Sequence, residues 1–115
     1  MTMLVLSLVA NVLVTFAVTL VIWQNRFSVD NVYGPDMPAR RILACVYLAI
    51  GAVSLYALLQ LGAGQENITR GVALTLLPLQ IVYKLMTAVA LPVMHPVVLA
   101  NLGIAALHAV TLLTL

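Results

Sequence analysis

The string Gln80-Ile81-Val82-Tyr83-Lys84-Leu85-Met86-Thr87 places four polar side chains inside an otherwise apolar run. At about 100° per residue, Gln80, Tyr83, Lys84 and Thr87 share a helical arc of roughly 100°, while Leu77, Val82, Leu85, Met86 and Val89 mostly lie elsewhere. One ammonium, one carboxamide, one phenol and one hydroxyl on a single face can hold an anion or a carboxylate by charge and hydrogen bonds. They do not make a catalyst. No Ser/His/Asp set, Cys/His pair, carboxylate pair, phosphate-cradling glycine loop or metal-ligand spacing accompanies them, so the sequence predicts neither an enzyme nor a cofactor or metal protein.

Lys84 is the residue that needs explaining. A lysine at the centre of a membrane helix costs about 2.5–3.5 kcal/mol, against at best about 0.3–0.6 kcal/mol returned by each Leu, Ile or Val around it. No Asp or Glu falls within any predicted span, so the chain offers no carboxylate at that depth. Four outcomes remain open. The side chain snorkels to the headgroups, loses its charge through desolvation, uses neutral acceptors such as Asn11, Asn101 or tyrosine oxygens, or meets an anion from outside, whether small molecule, lipid phosphate or a partner's acid.

Other polar residues recur at helical spacing. Ser7, Asn11, Thr15 and Thr19 repeat every four residues, and Asn101, Ala105, His108 and Thr111 follow i, i+4, i+7, i+10. Tyr47, Gly51 and Ser54 share one face, and Tyr56 and Gln60 another. Small and hydroxylated residues allow close helix approach and interhelical hydrogen bonds, so these stripes predict a bundle. The candidate ligand-binding set is therefore Lys84, Gln80, Tyr83, Thr87, Asn11, Asn101 and His108. His95 and His108 are too far apart, about 20 Å along one segment, to share a metal or haem in one chain. Cys45, the single cysteine, reads as a small packing residue in an apolar run.

The elements that must position these groups follow from composition. With 115 residues, 64% apolar and 7% charged, the chain is one domain and leaves the range of soluble proteins. Crossing about 30 Å of hydrocarbon takes about 20 apolar residues, and four runs qualify: about 3–23, 42–61, 71–91 and 97–115. The first lacks the basic flank and cleavage site of a secretory signal. Residues 26–41 hold Asp30, Asn31, Gly34, Pro35, Asp36 and Pro38 and read as a loop, with a helix starting near Asp36 to Pro38. Gly62 to Asn67 reads as a polar turn, with Asn67 or Thr69 available to cap the next helix, and Pro92 and Pro96 bracket a tight hairpin. The expected fold is all-α, an integral membrane four-helix bundle made of two helical hairpins.

Arg26, Arg40 and Arg41 flank one side of the spans and Arg70 the other, which predicts both termini outside a bacterial inner (plasma) membrane. Arg40 and Arg41 fall at lipid-headgroup depth. Five Lys/Arg without clustering exclude a nucleic-acid surface. The layout is similar in size to the small four-helix multidrug exporters, which rely on an acid in the first helix. This chain has Asn11 and no acid there, which argues against proton-coupled cation export. Two functions remain expected. The first is a non-enzymatic accessory, assembly or structural subunit, packing on a membrane-protein partner or on copies of itself, because polar stripes on all four helices exceed the need of one core. The second is a small carrier or a protein binding an anion or lipid headgroup through Lys84.

Overall fold

A computed structural model describes residues 2–24, 37–90 and 96–115. Within them lie four helices: α1 (Thr2–Gln24), α2 (Pro38–Gly62), α3 (Glu66–Ala90) and α4 (Pro96–Thr114). Each is long and apolar enough to cross a membrane. α1 lies along α2, α3 along α4, and α2–α3 and α1–α4 contacts close the ring. The expected all-α four-helix bundle is what the chain forms.

α1 and α2 run past the apolar windows read from sequence at both ends, and α3 and α4 begin before theirs, because caps and prolines bound a helix where hydrogen bonds run out rather than where hydrocarbon does. α2 begins with Pro38 at its first turn, preceded by Met37 in the extended conformation (φ −145°, ψ 169°) that a residue before proline adopts. Arg40 and Arg41 are thus helical. Asp36, the expected flanking acid, lies outside the described residues, as do Arg26, Pro92 and His95.

The turn between α2 and α3 is tighter than expected and differently capped. Gly64 takes a left-handed φ of +81°. Its N–H donates to Leu61 O (3.1 Å), and the Gln65 N–H donates to Gln60 O (2.8 Å), which satisfies carbonyls that the end of α2 would otherwise leave bare. Gln65 then opens α3 by accepting from the N–H groups of Ile68 (3.2 Å) and Thr69 (3.3 Å). Asn67 and Thr69 are therefore inside the helix and do not cap it. Thr69 Oγ1 instead crosses to α2, donating to Ala57 O at 2.8 Å. Pro78 lies inside α3 without ending it, although its missing N–H leaves the Leu74 carbonyl without its usual intrahelical donor.

The buried face of α2 runs Ala44, Tyr47, Gly51, Ser54 and Ala57, so the second face considered from sequence turns outward, with Tyr56 exposed and Gln60 half-buried. Cys45 is exposed rather than packed, because it is one residue, about 100°, off that stripe. Leu4, Leu8, Ala57, Ala73 and Leu77 form an apolar cluster toward the end where α1 begins. Ile22, Ala44 and Tyr47 form a second one toward the end where α1 stops. Between these clusters the interior is polar.

Candidate functional site

The middle of the bundle is organised around Asn11 of α1. Its Nδ2 donates to Ser54 Oγ of α2 (3.1 Å) and to Gln80 Oε1 of α3 (2.6 Å). Its Oδ1 accepts from Gln80 Nε2 (3.2 Å) and lies 2.8 Å from His108 Nε2 of α4. Two donors and two lone pairs are all engaged, and one carboxamide joins all four helices. Because the Asn11 oxygen only accepts, His108 Nε2 carries the proton in this contact, which leaves Nδ1 as the acceptor nitrogen. That Nδ1 is buried and has no hydrogen-bond partner.

Further toward the end of α1, Lys84 of α3 lies across from Asn101 of α4. The Lys84 side chain is 2% exposed, so it neither snorkels to water nor faces acyl chains. Its Nζ donates to Asn101 Oδ1 at 2.8 Å and sits 5.2 Å from the centroid of the Tyr83 ring, within range of a cation–π attraction. Glu66 supplies the one carboxylate side chain among the described residues, and it is 18 residues away along α3, about 27 Å by helix rise. Tyr83 itself is half-buried, and its buried hydroxyl has no hydrogen-bond partner.

On the other side of the Asn11 layer, Ser7 Oγ pairs with Thr111 Oγ1, which also donates to Met3 O (3.1 Å). On the Lys84 side of that layer, Thr15 donates to Asn11 O, and Thr19 Oγ1 donates to Thr15 O (2.7 Å). These hydroxyls are thereby tied to backbone or to one another, whereas Lys84 Nζ, His108 Nδ1 and the Tyr83 hydroxyl keep unused hydrogen-bonding capacity in the interior.

Of the residues singled out from sequence, Asn11, Gln80 and His108 meet in one layer and Lys84 and Asn101 in the next. Thr87 does not join them. It is half-buried, and its hydroxyl donates to Tyr83 O (2.8 Å) within its own helix. Arg41 is exposed, as a headgroup contact requires, but Arg40 is 2% exposed. Ser54 enters the site without having been a candidate, although its place on the Tyr47–Gly51 face was the signal for it. Among the described residues no three His, Cys, Asp or Glu side chains gather to hold a metal. Comparison with protein-family models, with curated proteins and with solved structures finds no match to this chain.

Proposed function

We propose that this chain is a non-enzymatic, multi-pass membrane protein whose bundle interior binds an anionic group at Lys84, as a small carrier or anion-binding protein. The observation that carries this reading is a buried ammonium with one neutral oxygen acceptor, Asn101 Oδ1, although it has three hydrogens to donate. Charge and donors with no carboxylate at that depth among the described residues favour a carboxylate or phosphate oxygen from outside the chain. His108 Nδ1 and the Tyr83 hydroxyl add further hydrogen-bonding capacity in the same interior. In this reading the end nearest Lys84 faces the cytoplasm, the side that the arginine distribution favours.

The accessory-subunit reading has less support. It rests on polar stripes in excess of what one bundle needs, yet Ser7, Asn11, Thr15, Ser54, Gln80, Asn101, His108 and Thr111 are all buried within a single copy. Little remains for a partner to satisfy, and the outer surface is the kind that lipid covers.

Thermal unfolding of the purified protein in dodecyl maltoside, titrated with sodium phosphate, sodium acetate or short-chain phosphatidic acid at matched ionic strength, tests the proposal. At least one of the three should raise Tm in a saturable way, by the equivalent of about 2.7 kcal/mol at 100 times Kd. Lys84→Met should remove that rise, and Lys84→Arg should keep part of it. A Tm unmoved by all three, or raised equally in Lys84→Met, would overturn the reading.

A further inference from the structure

His108 is a buried imidazole whose bonding the fold leaves half complete. Its side chain is 0% exposed, and Nε2 is held 2.8 Å from Asn11 Oδ1. Nδ1, the acceptor nitrogen at the other edge of the ring, has no hydrogen-bond partner. The helices packed on α4 do not fill it. α1 carries no titratable side chain, α3 presents Lys84 and Tyr83, and across the bundle α2 adds the buried Tyr47.

Lys84 stands one turn from the layer that holds His108. Gln80 donates to the same Asn11 oxygen that His108 approaches, and Lys84 follows Gln80 by four residues, about 6 Å by helix rise. The ammonium is close enough for its field to act on the imidazole. Between the two levels α4 presents Ala105, four residues after Asn101 and three before His108, and its side chain is a single buried methyl. Two hydrogen bonds of about 2.8 Å laid end to end match one turn, so a small group bonded to both nitrogens suits the interval.

The two nitrogens define what that group must be. Nζ has hydrogens left to donate, and Nδ1 has a lone pair. A bare anion answers the first but meets the second lone pair to lone pair, and a proton between its oxygen and Nδ1 removes the clash. A carboxylate has two oxygens, one for each nitrogen. A phosphate would bring further oxygens that these two groups leave unpaired, at a cost in a buried site.

We infer that the anion held at Lys84 is a small monocarboxylate and that it binds together with one proton, shared between its second oxygen and His108 Nδ1. This rests on the interior anion site proposed above and assigns that site its ligand class and its proton. The proton comes from water, forms a bond at Nδ1 as the carboxylate docks, and returns to water when the carboxylate leaves; nothing is oxidised or reduced. A carrier built this way moves the acid as a neutral unit.

Acetate, which stays ionised between about pH 6 and pH 8, is the probe. Its Kd is read across that range from saturable thermal stabilisation of the full chain in dodecyl maltoside at constant ionic strength. Uptake of one proton by the complex should weaken binding about tenfold for each unit rise in pH. His108→Gln, whose carboxamide can still donate to Asn11 Oδ1 but takes no proton, should bind acetate with a Kd that does not change with pH. A wild-type Kd that stays constant, or a slope retained in His108→Gln, would overturn the proton coupling and leave an anion site at Lys84 standing. The wild-type measurement keeps that power even if the variant does not fold. Stabilisation by phosphate or phosphatidic acid but not by acetate would overturn the ligand class, and stabilisation by none of them would overturn the interior site as well.

Discussion

The Asn11 side chain bonds to all three other helices, and its chemistry explains why the first helix tolerates it. A carboxamide in hydrocarbon is costly unless both ends are engaged. Here Ser54, Gln80 and His108 engage them from three helices. Interhelical hydrogen bonds in membranes average about 0.6 kcal/mol, so Asn11→Ala, which orphans three partners, should cost about 2 kcal/mol of stability in mixed-micelle unfolding. Thr75→Val is the contrast: its exposed hydroxyl bonds only Gly71 O and Val72 O of its own helix, and the change should stay within about 0.5 kcal/mol. At this scale the sequence was informative about which residues matter. Asn11, Gln80, Lys84, Asn101 and His108 stand out because polar groups are rare and costly in apolar runs. Their pairing was not legible. The link from Asn11 to Gln80 spans 69 positions and joins helices on opposite sides of the ring, so it exists only once all four helices are docked.

Among the elements, α1 and α2 pack through Gly51. A methyl at that position would collide with Thr15 Oγ1 and come within 3.3 Å of Phe16 Cε1. Thr15 cannot easily give way, since it is β-branched, buried and hydrogen-bonded to Asn11 O. Gly51→Ala should therefore push the two helices apart and cost about 1–3 kcal/mol. Gly103 of α4 has open space where its Cβ would be, and Gly103→Ala should instead stabilise by about 0.4–1 kcal/mol through the unfolded chain. Opposite signs for two glycine-to-alanine changes, read by the same unfolding assay, check the packing directly. Helix number and the main buried stripes could be read from periodicity alone, as the inward turn of Tyr47, Gly51 and Ser54 illustrates. Helix ends could not. The α2–α3 boundary depends on Gly64 adopting a left-handed conformation, and Thr69, a capping type by composition, was more useful bonding Ala57 O across the interface. Cys45 and Arg40 were misplaced for a related reason: apolar composition and charge give depth in the bilayer but not direction around the helix.

The whole molecule has a long axis of 43 Å, enough to cross about 30 Å of hydrocarbon with both ends among headgroups. Along that axis, the apolar cluster of Leu4, Leu8, Ala57, Ala73 and Leu77 closes one end of the interior, and the polar layers follow. The second apolar cluster draws on α1 and α2 alone, so the buried charge on α3 lies beyond the sealed end. Lys84 is six residues from the end of α3, about 9 Å by helix rise, close enough for its four-carbon stem to reach the headgroups if the bundle did not hold it. Inward placement is therefore a choice made by packing, and the anion-binding proposal depends on it. Because Lys84 is the one lysine in the sequence, a bulky, water-soluble sulfonated amine-reactive ester applied to both faces of reconstituted vesicles tests it. Mass mapping should find Lys84 unmodified in the folded protein and modified after unfolding in dodecyl sulfate. Rapid modification of Lys84 in the folded, membrane-embedded protein would mean that the ammonium lies at the surface and that the bundle has no sheltered cation to offer a ligand.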